Sequence, residues 1–230
     1  MIDEGLAREA LGRCVLFARL GDDALLACIA RMRSRRFRRD QTVFHQGDPG
    51  DALFVIAAGS VKVVLPSPDA AEPAILATLG PGDFFGELAM LDGEPHSATV
   101  ITLEDTETLV LGRADFEVLF EREPDLWRAL VGSLARELRR LTGHVEALHF
   151  LDLRERLAQQ LVSLAGAAGA MGEGRLDRRY TQSELAGMVG GSRESVNRLL
   201  AEFVARGLVR FERDIMVIPD LDRLTSEAHR

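Results

Sequence analysis

The sequence predicts an α+β protein in three parts: an antiparallel β-roll, a long dimerisation helix and a C-terminal winged helix-turn-helix. Three observations predict it. Glycines break short β-rich runs at close intervals between residues 40 and 112. Apolar residues repeat at alternating spacings of 4 and 3 from Trp127 to Leu148. Two helix caps, separated by a double-glycine turn, lie within residues 181–200.

The chain has 230 residues, 47% of them apolar, which suits two domains with a core each. Residues 6–33 read as one or two short helices. Beyond them, Leu53-Phe54-Val55-Ile56 and Val61-Lys62-Val63-Val64-Leu65 are β-rich, punctuated by Gly47, Gly50, Gly59, Gly80, Gly82, Gly86 and Gly93. Short strands with glycine turns indicate an antiparallel roll or barrel. Pro124 opens the long helix. In it Trp127, Val131, Leu134, Leu138, Leu141, Val145 and Leu148 form a heptad seam, interrupted only weakly by Gly132 and Gly143. The seam points to a parallel homodimer through residues 127–148; a helix lying on its own roll is the alternative. Asp152 is placed to cap a helix from Leu153 to about Ala165, and the small residues from Gly166 to Gly174 read as a loop. The expected boundaries are 1–123, 124–151 and 152–230.

Thr181 followed by Glu184 is a capping box opening a helix with Leu185, Met188 and Val189 on its apolar face. Gly190-Gly191 supplies a tight turn, and Ser192 caps a second helix whose inward face is Val196, Leu199, Leu200 and Phe203. Arg193, Glu194, Asn197 and Arg198 then point outward near its N-terminal end, where recognition helices carry base-reading side chains. Arginine can donate twice to guanine, and glutamate can accept from cytosine N4. Downstream, residues 207–211 and 215–218 flank the polar turn Glu212-Arg213-Asp214, a hairpin wing whose Arg213 would reach a phosphate. The candidate DNA-binding set is Thr181, Ser192, Arg193, Glu194, Asn197, Arg198 and Arg213. A winged helix used for protein contacts is the competing reading.

Charge agrees once it is localised. The net charge of −8 lies entirely in residues 1–150, with 16 basic and 24 acidic side chains, whereas residues 151–230 carry 12 of each. Within 175–213 there are 8 arginines against 5 acids. Duplex DNA responds to such local patches rather than to the total.

With these motifs in place, the chain resembles the cyclic-AMP receptor protein family, which includes the fumarate-nitrate reduction regulators, from about Leu16 to Leu221. Ser192-Arg193-Glu194 followed by Val196 and Arg198 matches the cyclic-AMP receptor branch. The resemblance implies a cyclic-nucleotide-binding roll, a palindromic TGTGA-like operator read by Arg193, Glu194 and Arg198, and RNA polymerase as a partner. Gly82-Asp83-Phe84-Phe85-Gly86-Glu87-Leu88 resembles the family's phosphate-binding cassette, in which amides opening a short helix meet a phosphate. Glu87 would accept from a ribose hydroxyl and Ser97 would donate to the cyclic phosphate. The candidate effector-binding set is Gly86, Glu87, Leu88, His96, Ser97, Leu141 and Thr142.

Two positions depart from the family pattern. The family's Arg-Ser is His96-Ser97 here, which exchanges a permanent forked charge for a shorter, partly charged ring. Leu141-Thr142 stands where cyclic-AMP binders place Thr and then Ser or Asn, and Leu141 completes the seam instead of bonding a base. Losing a charged phosphate contact costs ~1.5–3 kcal/mol and a base contact ~1 kcal/mol more, roughly two to three orders of magnitude in affinity. The cassette is therefore expected to bind cyclic AMP weakly, to take another nucleotide such as a cyclic dinucleotide, or to be vestigial. Leu141 in the seam would bias the ligand-free protein toward its DNA-binding state.

Other classes are excluded or unsupported. Only Cys14 and Cys28 are present, without metal spacing and too few for an iron–sulfur sensor. With no disulfide framework, no transmembrane-length apolar run and no basic start at Met1-Ile2-Asp3-Glu4, a cytoplasmic protein is expected. His45, His144, His149 and His229 lack ligand spacing. The six arginines of Arg31–Arg39 read as a solvated face around the first strand, with a second nucleic-acid contact as the alternative. No catalytic constellation is evident, so no enzyme is expected. Two further readings stay open: a nucleotide-binding module acting on another protein, and a DNA-binding regulator that needs no effector.

Overall fold

A computed structural model describes residues 3–66, 73–165 and 172–228. The chain divides into two compact units, residues 1–65 with 76–139 and residues 66–75 with 140–230.

The first unit opens with helices α1 (Glu4–Arg13) and α2 (Asp22–Ile29). Asp3 caps α1 by accepting from the Leu6 amide. The roll follows as β1 (Arg33–Phe37), β2 (Thr42–Phe44), β3 (Ala52–Ala58), β4 (Val61–Leu65), β5 (Ala74–Leu79), β6 (Phe84–Phe85), β7 (Thr99–Thr102) and β8 (Thr106–Gly112). They form two four-stranded sheets, ordered β1-β8-β3-β6 and β2-β7-β4-β5. Neighbours β1–β8, β3–β8, β3–β6, β2–β7 and β4–β7 pair antiparallel, as the glycine-punctuated runs predict. Phe54 and Phe85, cross-strand partners in the first sheet, stack with centroids 5.1 Å apart and share a buried cluster with Val43, Val61 and Val100 of the second sheet. On the outer side, α1 and α2 bury Ala7, Leu11, Leu25 and Cys28 in one cluster with Leu53, Val55, Leu109 and Leu111. In β1, Arg33, Arg35 and Arg36 are exposed while Phe37 is buried, so this arginine run is the solvated face of an edge strand.

Helix α4 (Arg113–Arg122) leads into α5 (Pro124–Phe150). Proline is favourable at a first helical position, where its missing N–H has no partner to lose. The stripe of α5 that lies on the roll is Leu126 and Leu130, both fully buried in the α1–α2 cluster. The heptad seam is displaced from it: Val131 is 61% exposed, Leu138 67% and Val145 54%. Trp127 is half-exposed, set edge-on to Phe120 at 5.0 Å. The roll thus has its own apolar stripe on α5, and most of the seam is left uncovered in a single chain.

The second unit comprises α6 (Leu153–Ala165), β9 (Gly174–Arg175), α7 (Gln182–Val189), α8 (Arg193–Ala205), β10 (Arg210–Glu212), β11 (Ile215–Ile218) and α9 (Leu221–Glu227). Asp152 caps α6 as expected: its Oδ1 accepts from the Glu155 amide at 2.9 Å, and Glu155 accepts from the Asp152 amide at 2.7 Å. The expected loop over 166–174 needs correction at its end. Residues 166–171 lie outside the described residues, but Gly174 and Arg175 pair with Ile218 and Val217 as a third wing strand. A two-residue strand shows no period in sequence, so it read as loop. Leu157, Leu161, Leu185, Val196, Phe203, Val217 and Leu224 are buried in this unit. Among the described residues no helix is long and apolar enough to cross a membrane.

Candidate functional site

Local chemistry fixes the helix-turn-helix. Thr181 Oγ1 accepts from the Glu184 amide at 3.1 Å and Glu184 Oε2 accepts from the Thr181 amide at 2.7 Å, so the capping box closes. The Arg178 guanidinium, lying 3.9 Å over the Tyr180 ring, donates to Glu184 Oε1 at 2.9 Å. Burial alone would raise the Glu184 pKa; these donors outweigh it and hold the carboxyl below its ordinary range. Gly190 ends α7 with a φ of 65°, which glycine adopts without strain. At Gly191 the constraint is space, because a Cβ would stand 2.6 Å from Leu153 Cδ1. Ser192 caps α8 by accepting from the Ser195 amide at 3.1 Å.

On α8, Val196, Leu199, Leu200 and Phe203 are buried and Arg193, Glu194, Asn197 and Arg198 are exposed. At 100° per residue the exposed four cover an arc of about 140° on the opposite side from the buried four. The arginines of the basic segment are not equivalent. Arg175 pairs with Glu212, Arg178 with Glu184, Arg179 with Asp214, Arg206 with Glu227, and Arg210 with Glu173 and Glu212. Among the described residues, Arg193, Arg198 and Arg213 have no such partner. Arg213 sits with Asp214 at the tip of the β10–β11 hairpin, where Glu212 pairs with Ile215. Both tip residues have positive φ, 49° and 70°. The Thr181 and Ser192 oxygens are engaged as caps. Asn197 Oδ1 accepts from Gln182 Nε2 at 2.9 Å, a link to α7 that sequence reading missed.

The cassette lies in the first unit. Gly86 precedes α3 (Glu87–Asp92) with a φ of 87°, and a Cβ there would meet the Ala52 carbonyl oxygen at 2.7 Å. Leu88 and Ser97 are exposed. Burial raises the Glu87 pKa, and the Glu137 carboxylate adds to the rise. His96 is buried, its ring stacked on Phe44 with centroids 3.5 Å apart. Burial lowers its pKa against the opposing pull of Asp48 and Asp51, which favours the neutral ring. Arg113, also missed in the sequence, donates to the carbonyls of Ala89 at 2.8 Å, Met90 at 3.0 Å and Gly50 at 3.0 Å. It clips the end of α3 to the loop before β3, and no motif marks it. On α5, Leu141 is partly covered and Thr142 exposed.

The described residues hold no cluster of three His, Cys, Asp or Glu side chains fit for a metal ion, and His229 lies outside them. Cys14 and Cys28 are buried thiols pushed up to about 11, chiefly by burial, which makes them unreactive at neutral pH.

Comparison with known proteins gives matches over both units. The family described as the cyclic nucleotide-binding domain matches residues 34–123, and the Crp-like helix-turn-helix domain matches residues 155–227. The CRP-like cAMP-activated global transcriptional regulator of Mycobacterium tuberculosis is 35% identical, covering 96% of this chain and 99% of that protein. Among solved structures, the Thermus thermophilus catabolite activator protein is 31% identical with a TM-score of 0.55, covering 94% of this chain and 98% of that one. The c-di-GMP responsive global regulator CLP of Xanthomonas campestris is 25% identical with a TM-score of 0.76, covering 86% and 99%.

Proposed function

This chain belongs to the cyclic-AMP receptor protein family of transcription regulators, and from that premise we propose that it acts as a homodimer reading a palindromic, TGTGA-like operator. Like its relatives it is a regulator with a cyclic-nucleotide-type domain and a helix-turn-helix, not an enzyme.

The observation that carries the reading is the distribution of arginine. In a segment where five arginines are ion-paired, the described residues leave Arg193, Arg198 and Arg213 without a carboxylate. In this reading Arg193 and Arg198 donate to guanine, Glu194 accepts from cytosine, and Arg213 meets a phosphate with help from the Thr181 and Ser192 hydroxyls. The uncovered seam on α5 pairs with a second copy, which sets two α8 helices one helical turn of DNA apart. We take 1–123 as sensor, 124–151 as dimer helix and hinge, and 152–230 as the DNA-binding part, working in the cytoplasm with RNA polymerase as partner.

The effector is a nucleotide in the roll, with Gly86, Glu87, Leu88, His96, Ser97, Leu141 and Thr142 as the candidate set. One relative is cAMP-activated by name and another c-di-GMP responsive. Here a neutral, buried His96 replaces the charged fork, so cyclic AMP binds weakly. That same observation favours a second reading, regulation of transcription without an effector.

Gel shifts of the full chain on a TGTGA palindrome, with and without cyclic AMP or c-di-GMP at several salt concentrations, test the scheme. Specific, salt-sensitive binding is expected, weakened by Arg193→Ala. Equal binding to scrambled DNA would overturn the regulator reading; specific binding unaltered by any nucleotide would select the effector-independent one. Leu138→Asp should yield monomers by sedimentation, and an intact dimer would place the interface elsewhere.

A further inference from the structure

The recognition face holds one side chain whose orientation is set by a neighbour. Asn197 follows Arg193 by one helical turn, so it stands over Arg193 and Glu194 on the exposed arc of α8. Its Oδ1 accepts from Gln182 Nε2 at 2.9 Å. Gln182 is the first residue of α7, and the Thr181–Glu184 capping box fixes that helix start. The donor is therefore delivered from a rigid, capped terminus rather than from a loop.

A free asparagine amide offers both a donor and an acceptor and is suited to adenine. With Oδ1 turned toward Gln182, the group presented outward is the Nδ2 amino group, which carries donors only. We infer that Asn197 is a specificity-determining residue that donates to an acceptor-bearing base edge, guanine or thymine, beside the bases read by Arg193 and Glu194, and that Gln182 is the positioning residue that sets this polarity. The inference rests on the regulator reading above. It adds a base pair that is discriminated by an amide pair spanning both helices of the motif.

Polarity makes the scheme testable, since two different substitutions should reverse it. Asn197→Asp keeps an oxygen for Gln182 and turns a second oxygen outward. Gln182→Glu leaves residue 197 untouched but removes the donor, so the Asn197 amide turns over to donate to the new carboxylate and presents Oδ1. Both variants should then prefer cytosine or adenine, which carry donors, at the same step.

The experiment selects full-length protein on a pool of palindromes randomised within each half-site, then measures binding to the selected sites and their single-step variants. For the wild type, one step beside the Arg193 and Glu194 positions should prefer guanine over cytosine by about three- to tenfold, the effect of one neutral hydrogen bond. Asn197→Ala should bring that ratio close to one without changing the ratios elsewhere. Asn197→Asp and Gln182→Glu should invert it, with any charge penalty spread evenly over all sequences and reduced by salt. Thermal unfolding checks that each variant is folded. If Gln182→Glu and Gln182→Ala leave the ratio as in the wild type while Asn197→Ala erases it, Gln182 does not set the orientation. If Asn197→Ala changes no ratio, Asn197 reads no base. Loss of all sequence selection in the wild type is a different result, which overturns the regulator reading and this inference with it.

Discussion

His96 lies flat on Phe44, with ring centroids 3.5 Å apart and planes 5° from parallel. A ring held this way is favoured neutral, and burial keeps its pKa below the ordinary value of 6.5. The unfolded chain therefore takes up a proton at a higher pH than the folded one does. Its contribution to stability is complete above the ordinary histidine pKa and is lost as pH falls toward the depressed folded value. The melting temperature of the wild type should accordingly fall as pH is lowered from about 7 toward 5. His96→Gln, which cannot titrate, should flatten that slope; a slope unchanged by the substitution would assign the acid sensitivity to another group.

The same position belongs to the effector-binding set proposed above. Arginine there would restore a permanent charge and two donors to the cassette, at some loss of the Phe44 stack. His96→Arg should raise cyclic-AMP affinity about ten- to a hundredfold by isothermal calorimetry, the value of one charge-assisted contact. Unchanged affinity in a folded variant would mean that a phosphate does not sit beside residue 96.

What was legible in the sequence was what is local. The Thr181–Glu184 box, the Asp152 cap, the turn at Gly190 and the Ser192 cap all act over three or four residues, where backbone geometry dictates the partner. The seam on α5 was legible because its period is regular. Contacts made across long stretches of chain leave no such trace. Arg113 reaches carbonyls 23 to 63 residues away, and Gln182 meets Asn197 fifteen residues on. Nor could composition show that most of the local arginines are neutralised by partners such as Glu173, which lies outside the basic segment 175–213. The wing's turn was legible but read one residue too wide: Glu212 belongs to β10 and pairs with Ile215, and neither Arg213 nor Asp214 is the glycine or asparagine that would mark a two-residue hairpin turn.

That tip carries a second consequence. Positive φ at Asp214, 70°, opposes the preference of a residue with a Cβ. Asp214→Gly relieves the strain at some cost in unfolded-chain entropy, for a net gain of about 0.5 kcal/mol. The lost Arg179 pairing subtracts little, because both partners are well exposed and 3.4 Å apart. Chemical denaturation should show the DNA-binding part slightly more stable, and destabilisation would show that the Asp214 carboxylate holds the turn.

Arg156 ties the helix-turn-helix to the end of α5. Its Nη1 donates to the Leu151 carbonyl, just past α5, at 2.7 Å, and its Nε to the Val189 carbonyl, at the end of α7, at 2.8 Å. Both oxygens lie at helix C-terminal ends, where carbonyls lack intrahelical partners and the helix dipole favours a cation. One planar guanidinium thus joins the chain just past α5 to the turn that precedes α8. Arg156→Ala should cost about 1–3 kcal/mol in the stability of this unit, since two carbonyls lose a charged donor. Arg156→Lys should recover only part of it, because a single ammonium on a flexible stem does not reproduce the fork. Operator affinity should fall in the same order, with the base preferences of α8 intact, because the substitution loosens how the head is held and not what it reads. Full recovery by lysine would mean that charge near the turn, rather than the two-carbonyl bridge, holds this junction.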